Sequence, residues 1–245
     1  NLSFMSTINK EEIQKFSLMA EEWWDVNGKF KPLHMFNPVR IDYILKKTIN
    51  HFGVKKTSSQ PLKNLNILDV GCGGGLISEP MCRLGANVTG IDASTTNIKI
   101  AQTHAQKNNL KINYLNKSPE KMSEEFKFDV ILNLEVVEHV NNLDLYIKSC
   151  SKLLKKNGII FTATINRTIV SYIKAIIGAE YILRWLPIGT HDWNSFLKPE
   201  ELEKKLNSEN LTTLDVTGLI FNPFNQKWKK GTDLNVNYVI LSKKT

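Results

Sequence analysis

Leu68-Asp69-Val70-Gly71-Cys72-Gly73-Gly74-Gly75 decides the fold. An apolar strand, read over 65–70, runs into a turn rich in glycine, and a helical pattern opens at Leu76. A strand that feeds a glycine turn and then a helix is the opening unit of a doubly wound α/β domain, and glycines there let the backbone approach a ligand closely. The dinucleotide fingerprint G-x-G-x-x-G fails in this register, because Leu76 stands at its third glycine position. The turn therefore reads as a cofactor site that does not hold a pyrophosphate, with Asp69, Gly71 and Gly73 as its candidate residues.

The second strand supplies a partner for that turn. Thr89-Gly90-Ile91-Asp92 ends in an acid about 20 residues past the glycines, where a carboxylate can accept both hydroxyls of a ribose. Further out, strands read over 65–70, 87–92, 112–115, 129–134 and 158–164, separated by helical stretches near 76–84, 95–107 and 144–155. Short apolar strands alternating with helices imply a parallel sheet covered on both faces. A helical, unusually apolar segment follows Asn166 and runs to Leu186; a helix near 199–207 and strands near 211–219 and 236–241 come last.

Upstream of the sheet, a first helix is predicted over about 9–25. Asn9 and Glu12 form a capping box there, and Ile13, Phe16, Ala20 and Trp23 recur at helical spacing. A second helix is predicted from Asn37-Pro38 to about Phe52, with proline in the first turn. The polar stretch 55–63, with Ser58, Ser59 and Pro61, reads as a linker. This gives an N-terminal helical cap, 1–60, over a main unit, 61–245, that carries a helical insertion at 167–192, the whole forming one structural domain. Residues 1–4 precede Met5 and are set aside.

The 245 residues suffice for one α/β domain, and 42% hydrophobic with 23% charged residues is ordinary for a globular protein. A formal charge of +8 attracts anions without saying which. Cys72, Cys82 and Cys150 show neither a CxxC pair nor metal-finger spacing, which suits a reducing compartment. No apolar run is long enough to span a membrane. The N-terminus mixes Glu11, Glu12 and Glu21 with lysines, unlike a transit peptide, so a cytoplasmic location is expected.

The run D-V-G-C-G-G-G followed by G-I-D resembles class I S-adenosylmethionine-dependent methyltransferases. A narrower match lies in Phe30-Lys31-Pro32-Leu33-His34 with Asn37-Pro38-Val39-Arg40, in Gly178-Ala179-Glu180-Tyr181-Ile182-Leu183-Arg184 and in Gly189-Thr190-His191-Asp192. Thr217-Gly218-Leu219, Asn222-Pro223 and Val236-Asn237-Tyr238 complete it. Together these resemble the ubiquinone-biosynthesis O-methyltransferase family from Glu12 to Leu241, with Met35 departing from the family's usual basic residue. The resemblance implies a Rossmann-like α/β fold whose doubly wound sheet is mostly parallel. It also implies S-adenosyl-L-methionine as cofactor and O-methylation of 2-polyprenyl-6-hydroxyphenol and 3-demethylubiquinol. Arg40, Gly71, Asp92 and Leu134 map onto the family's cofactor positions, and a guanidinium at Arg40 suits a methionyl carboxylate.

Glu135-Val136-Val137-Glu138-His139 ends the fourth strand. If a helical turn follows, i, i+3 and i+4 spacing puts Glu135, Glu138 and His139 on one side. Two carboxylates and an imidazole can hold a divalent ion such as magnesium, which would favour deprotonation of a catechol oxygen. The resemblance points the same way, but E-H after the fourth strand also occurs in methyltransferases that use no metal. There His139 or His191 would be the general base, since neutral imidazole titrates near working pH. Both readings stand at this point.

Residues 168–187 combine apolar side chains with Tyr172, Tyr181, Trp185, Lys174 and Arg184. That composition fits a lid over a substrate pocket and equally an interfacial segment resting on an acidic membrane surface. A polyprenyl substrate partitions into lipid, so peripheral association with a bacterial inner membrane is expected, alongside other ubiquinone-biosynthesis enzymes as partners. Rival readings are a methyltransferase for another small phenol, RNA or protein, and a noncatalytic scaffold of a biosynthetic complex. Beyond Lys227, Lys229 and Lys230 there is no basic, aromatic-studded extension, so nucleic acid is not an expected partner. The glycine turn, Asp92 and Glu135-Glu138-His139 are more than a scaffold needs.

Overall fold

Asp69 and Asp92 lie at the ends of neighbouring strands in the computed structural model, which describes residues 6–54, 59–172 and 193–245. Within these residues one eight-stranded sheet has the order β3-β2-β1-β4-β5-β8-β6-β7. The strands are β1 (Asn66–Val70), β2 (Asn87–Asp92), β3 (Asn113–Asn116), β4 (Phe128–Leu134), β5 (Leu154–Ile165), β6 (Leu211–Asn222), β7 (Lys227–Gly231) and β8 (Asn237–Lys244). β1 to β5 pair in parallel, and β8, β6 and β7 continue the sheet antiparallel. The chain leaves β1 toward β2 and β3, then returns to β4 on the other side. That reversal makes a switch point between β1 and β4, and ligands of open α/β sheets bind at the strand ends there.

Two cores explain why the strands read as continuous apolar runs. Ile67, Val130, Leu132, Phe161 and Val239 face one side; Leu68, Ile131, Ile160 and Ile240 face the other. Side chains alternate across a strand, so a sheet covered on both faces must be apolar at every position. Helix α2 (Lys31–His51) covers the first face through Phe36, Tyr43 and Ile44. Helices α5 (Leu143–Leu153) and α7 (Pro199–Ser208) cover the second through Tyr146, Ile147, Leu202 and Leu206. Helix α4 (Thr95–Lys107) flanks β2 and β3.

The N-terminal helices differ from their sequence reading. α1 runs over Lys10–Leu18 and stops short of Asp25; a 3-10 turn, Ala20–Glu22, follows. The chain then doubles back through Gly28, whose N–H donates to Asp25 O at 3.0 Å. α2 begins at Lys31, not at Asn37, so Pro32 occupies its first turn and Pro38 lies inside it. Either proline satisfies the first-turn preference, and only packing chooses between them. The expected linker is also partly structural: Leu62 is fully buried and its N–H donates to Leu84 O, while residues 55–58 lie outside the described residues. Strand β7 was not expected. Three of its five residues are lysines, and charge on an edge strand discourages pairing with another chain. Of the predicted insertion only its start is described, α6 (Ile169–Ser171) behind the Thr168 cap.

One cap bears on the site. Ser94 precedes α4, and its hydroxyl accepts from Asn97 N at 3.2 Å. Ser94→Ala should cost about 1 kcal/mol of stability, the usual loss of an N-cap. Urea titration checks it, with an unchanged midpoint as the contrary result.

Candidate active site

The ends of β1, β2 and β4 open into a cavity of about 670 Å³, walled on its other side by the N-terminal segment and α2. Gly71 and Cys72 N–H groups both donate to Ile91 O, at 2.8 and 3.0 Å, tying the glycine turn to β2. Gly71 has φ +69°, and a Cβ there would lie 2.6 Å from Val136 Cγ2. Gly73 has φ +53°, and its Cβ would lie 2.5 Å from the Trp23 ring. Both positions need glycine for backbone and for space. The steric neighbour is protein in each case, an indole from the N-terminal cap at Gly73.

Asp92 sits where the sequence places it, on the cavity wall at the end of β2. Its carboxylate accepts from Gly73 N (3.0 Å), Ser94 N (2.7 Å) and Asn97 Nδ2 (3.3 Å). Asn97 in turn accepts from Trp23 Nε1 at 3.0 Å, and Trp23 stacks on Phe30 at 3.8 Å. Burial raises the Asp92 pKa, and those three hydrogen bonds work against the rise. Asp69 is buried, accepts from Ser78 Oγ at 2.6 Å, and is pushed up to about 7, chiefly by burial. Its visible bond anchors the helix that follows the turn, α3 (Ser78–Arg83). Leu134 lines the cavity at the end of β4.

Arg40 is 4% exposed, stacks its guanidinium on Phe36 at 3.6 Å, and pairs with the Glu135 carboxylate. Glu135 has φ +57°, a conformation that non-glycine residues rarely adopt, while its N–H still donates to Ala163 O at 2.9 Å. This bears on the metal reading. The i, i+3, i+4 argument needs Glu135 in a helical turn, yet the turn is a 3-10 segment that begins at Val137. The left-handed residue swings its carboxylate to Arg40, and His139 Nδ1 turns to the Glu12 carboxylate at 2.9 Å. Among the described residues no three His, Cys, Asp or Glu side chains come together as an ion site. Glu138 is buried nearby, its Oε2 without a hydrogen-bond partner. The donor set Glu135, Glu138 and His139 does not fit a divalent ion in this geometry.

His139 lies on the cavity wall, 18% exposed. Burial pulls its pKa down, but the Glu12 hydrogen bond and the charges of Glu138, Glu12 and Glu135 outweigh that and raise it. The other candidate base, His191, lies outside the described residues. Sequence reading missed Glu12, Trp23, Phe30 and Asn97 as site residues. In the sequence Glu12 reads as half of a capping box, Trp23 as part of an apolar helix face and Phe30 as the start of a family-like segment, and nothing in local spacing shows which distant loop they meet.

A family model described as "Methyltransferase domain" matches residues 68–162. A solved magnesium protoporphyrin IX methyltransferase from Synechocystis, with bound SAH, superposes with TM-score 0.70 at 17% identity, covering 97% of this chain and all of that one. Fold, glycine turn and domain match define a class I S-adenosylmethionine-dependent methyltransferase. The ubiquinone biosynthesis O-methyltransferase of Pelagibacter ubique is 59% identical over 96% of this chain and 98% of its own length. That of a Chelativorans species is 50% identical over 98% and 95%. The chain belongs to the ubiquinone biosynthesis O-methyltransferase family, and its chemistry is S-adenosylmethionine-dependent O-methylation.

Proposed function

We propose that this chain methylates a phenolic oxygen of polyprenyl catechol and hydroquinol intermediates of ubiquinone biosynthesis, with His139 as the general base. The observation that carries this reading is one continuous cavity reaching from Asp92 and the glycine turn to His139. The residues present suit S-adenosylmethionine: a carboxylate for ribose hydroxyls at Asp92, Leu134 beside the adenine, and the pair of buried Arg40 with half-buried Glu135, opposite charges for an amino acid zwitterion. When bound, the cofactor supplies an electrophilic methyl on a sulfonium. Apolar residues hold the substrate, among them the stacked pair Phe36 and Trp228 at 4.0 Å and Phe221 beside Trp228. His139 takes the phenol proton, and the walls keep the oxygen in line and exclude water.

Incubation with S-adenosylmethionine and a short-chain prenyl catechol, with and without chelator, tests this by mass spectrometry of the product. Methylated product is expected in both arms. Loss of turnover on chelation, restored by magnesium, would assign deprotonation to an ion and overturn the His139 assignment.

Access to a lipid-borne substrate belongs to the same reading. The proposed collector is 168–187 on an acidic membrane surface, beside other enzymes of the route. Its support is composition and the exposed Ile169 and Tyr172 at its start, 76% and 46% accessible. No described helix is long and apolar enough to cross a membrane.

A further inference from the structure

Asn37 is left without the local role its sequence suggests. At a helix start its side chain would cap the first turn, but α2 begins at Lys31 and Asn37 lies well inside it. Inside a helix asparagine is a poor choice, and Pro38 beside it cannot donate to the carbonyl four residues back. The Asn37 side chain is 7% exposed, and its Oδ1 has no hydrogen-bond partner among the described residues. A buried amide oxygen left unpaired costs stability that an apolar side chain would not. Arg40, three residues on, is 4% exposed, and its Nε likewise has no partner among the described residues. Both residues line the cavity, so one stretch of α2 brings an unmatched acceptor and an unmatched donor to its wall.

The helix also fixes which end of the cavity they serve, because residues advance about 100° round it. Asp42 and Phe36 face β7, through Lys230 at 2.7 Å and Trp228 at 4.0 Å. Arg40 is turned about 40° on from Phe36, and it meets Glu135 just past the end of β4. Asn37 is turned about 60° further the same way, past β4 and toward β1 with its glycine turn. Leu33, one turn before Asn37, packs there against the cluster that holds Trp23 and Leu76. We propose that Asn37 recognises the amino-acid end of S-adenosylmethionine, its Oδ1 accepting from the methionyl ammonium while the Arg40 guanidinium takes the carboxylate. This rests on Arg40 serving that carboxylate. A neutral acceptor suits the task, since it adds no negative charge to a wall that already holds Glu135 and Glu138.

Calorimetric titration compares S-adenosylhomocysteine, its deamino analogue, and methylthioadenosine, which lacks the amino-acid end. The wild type should bind them in that order of decreasing affinity. Asn37→Leu should bind S-adenosylhomocysteine about 10- to 100-fold more weakly, the loss of one hydrogen bond to a charged group. Its affinity for the other two should be unchanged. Without ligand, its urea midpoint should equal or exceed that of the wild type, because no unpaired amide is buried. Asn37→Ala repeats the titrations in case leucine overfills the wall. A loss shared by the deamino analogue, or no loss at all, overturns the proposal. An equal loss on all three probes with a lowered urea midpoint makes Asn37 merely structural and overturns it as well. If the wild type does not prefer the deamino analogue, which keeps the carboxylate, over methylthioadenosine, the Arg40 reading and the proposal fall together.

Discussion

His139→Ala should bind S-adenosylhomocysteine as the wild type does, yet turn over about 10²–10⁴-fold more slowly, the usual range for a lost general base. The affinity half follows from placement. The histidine lies past the end of β4, whereas the groups suited to the ribose and the base are Asp92 and Leu134. The rate half follows from chemistry: the un-ionised hydroxyl is a poor nucleophile, and the proposed acceptor of its proton is the His139 imidazole on the cavity wall. The histidine serves as a base only when neutral. Because its pKa is raised from 6.5, turnover should fall as pH drops through a midpoint above that value. Rapid-quench kinetics with a prenyl catechol, beside calorimetric titration of the product cofactor, reads both halves. Full turnover in His139→Ala would remove the base assignment.

Asp92→Ala should weaken S-adenosylhomocysteine binding by about 10²–10⁴-fold, from two hydrogen bonds to a charged acceptor at roughly 1.5–3 kcal/mol each. An ionised carboxylate offers about four acceptor sites, so the three internal donors from Gly73, Ser94 and Asn97 do not exhaust it. Those same bonds hold the glycine turn against β2, so part of the loss comes from a loosened turn. Asp92→Asn separates the two, because its remaining carbonyl can still accept from Gly73 N. Calorimetric titration with affinity near wild type in Asp92→Ala would sink the ribose assignment.

The parallel sheet, the glycine turn and Asp92 were legible because each is written locally. Apolar runs of strand length, a helical period between them and glycine at a strand end depend on residues within one or two turns of each other. Arg40 and Leu134 came from family likeness, and the structure sets both on the cavity wall. The expected trio Glu135, Glu138 and His139 shows where local reasoning ends. Its spacing assumed helical backbone at Glu135, and φ +57° at that residue sends the carboxylate elsewhere.

By itself, then, the sequence determined the doubly wound fold, the edge of the sheet that carries the site and the carboxylate that closes β2. Burial on both faces and glycine backbone leave marks within a few residues. Tertiary structure alone decided which proline starts α2, that β7 joins the sheet, that Trp23 covers the glycines, and that Arg40 and Glu12 claim Glu135 and His139. Charge pairing and indole packing across distant segments depend on where the folded chain sets two side chains within a few ångströms, and no local spacing records that distance.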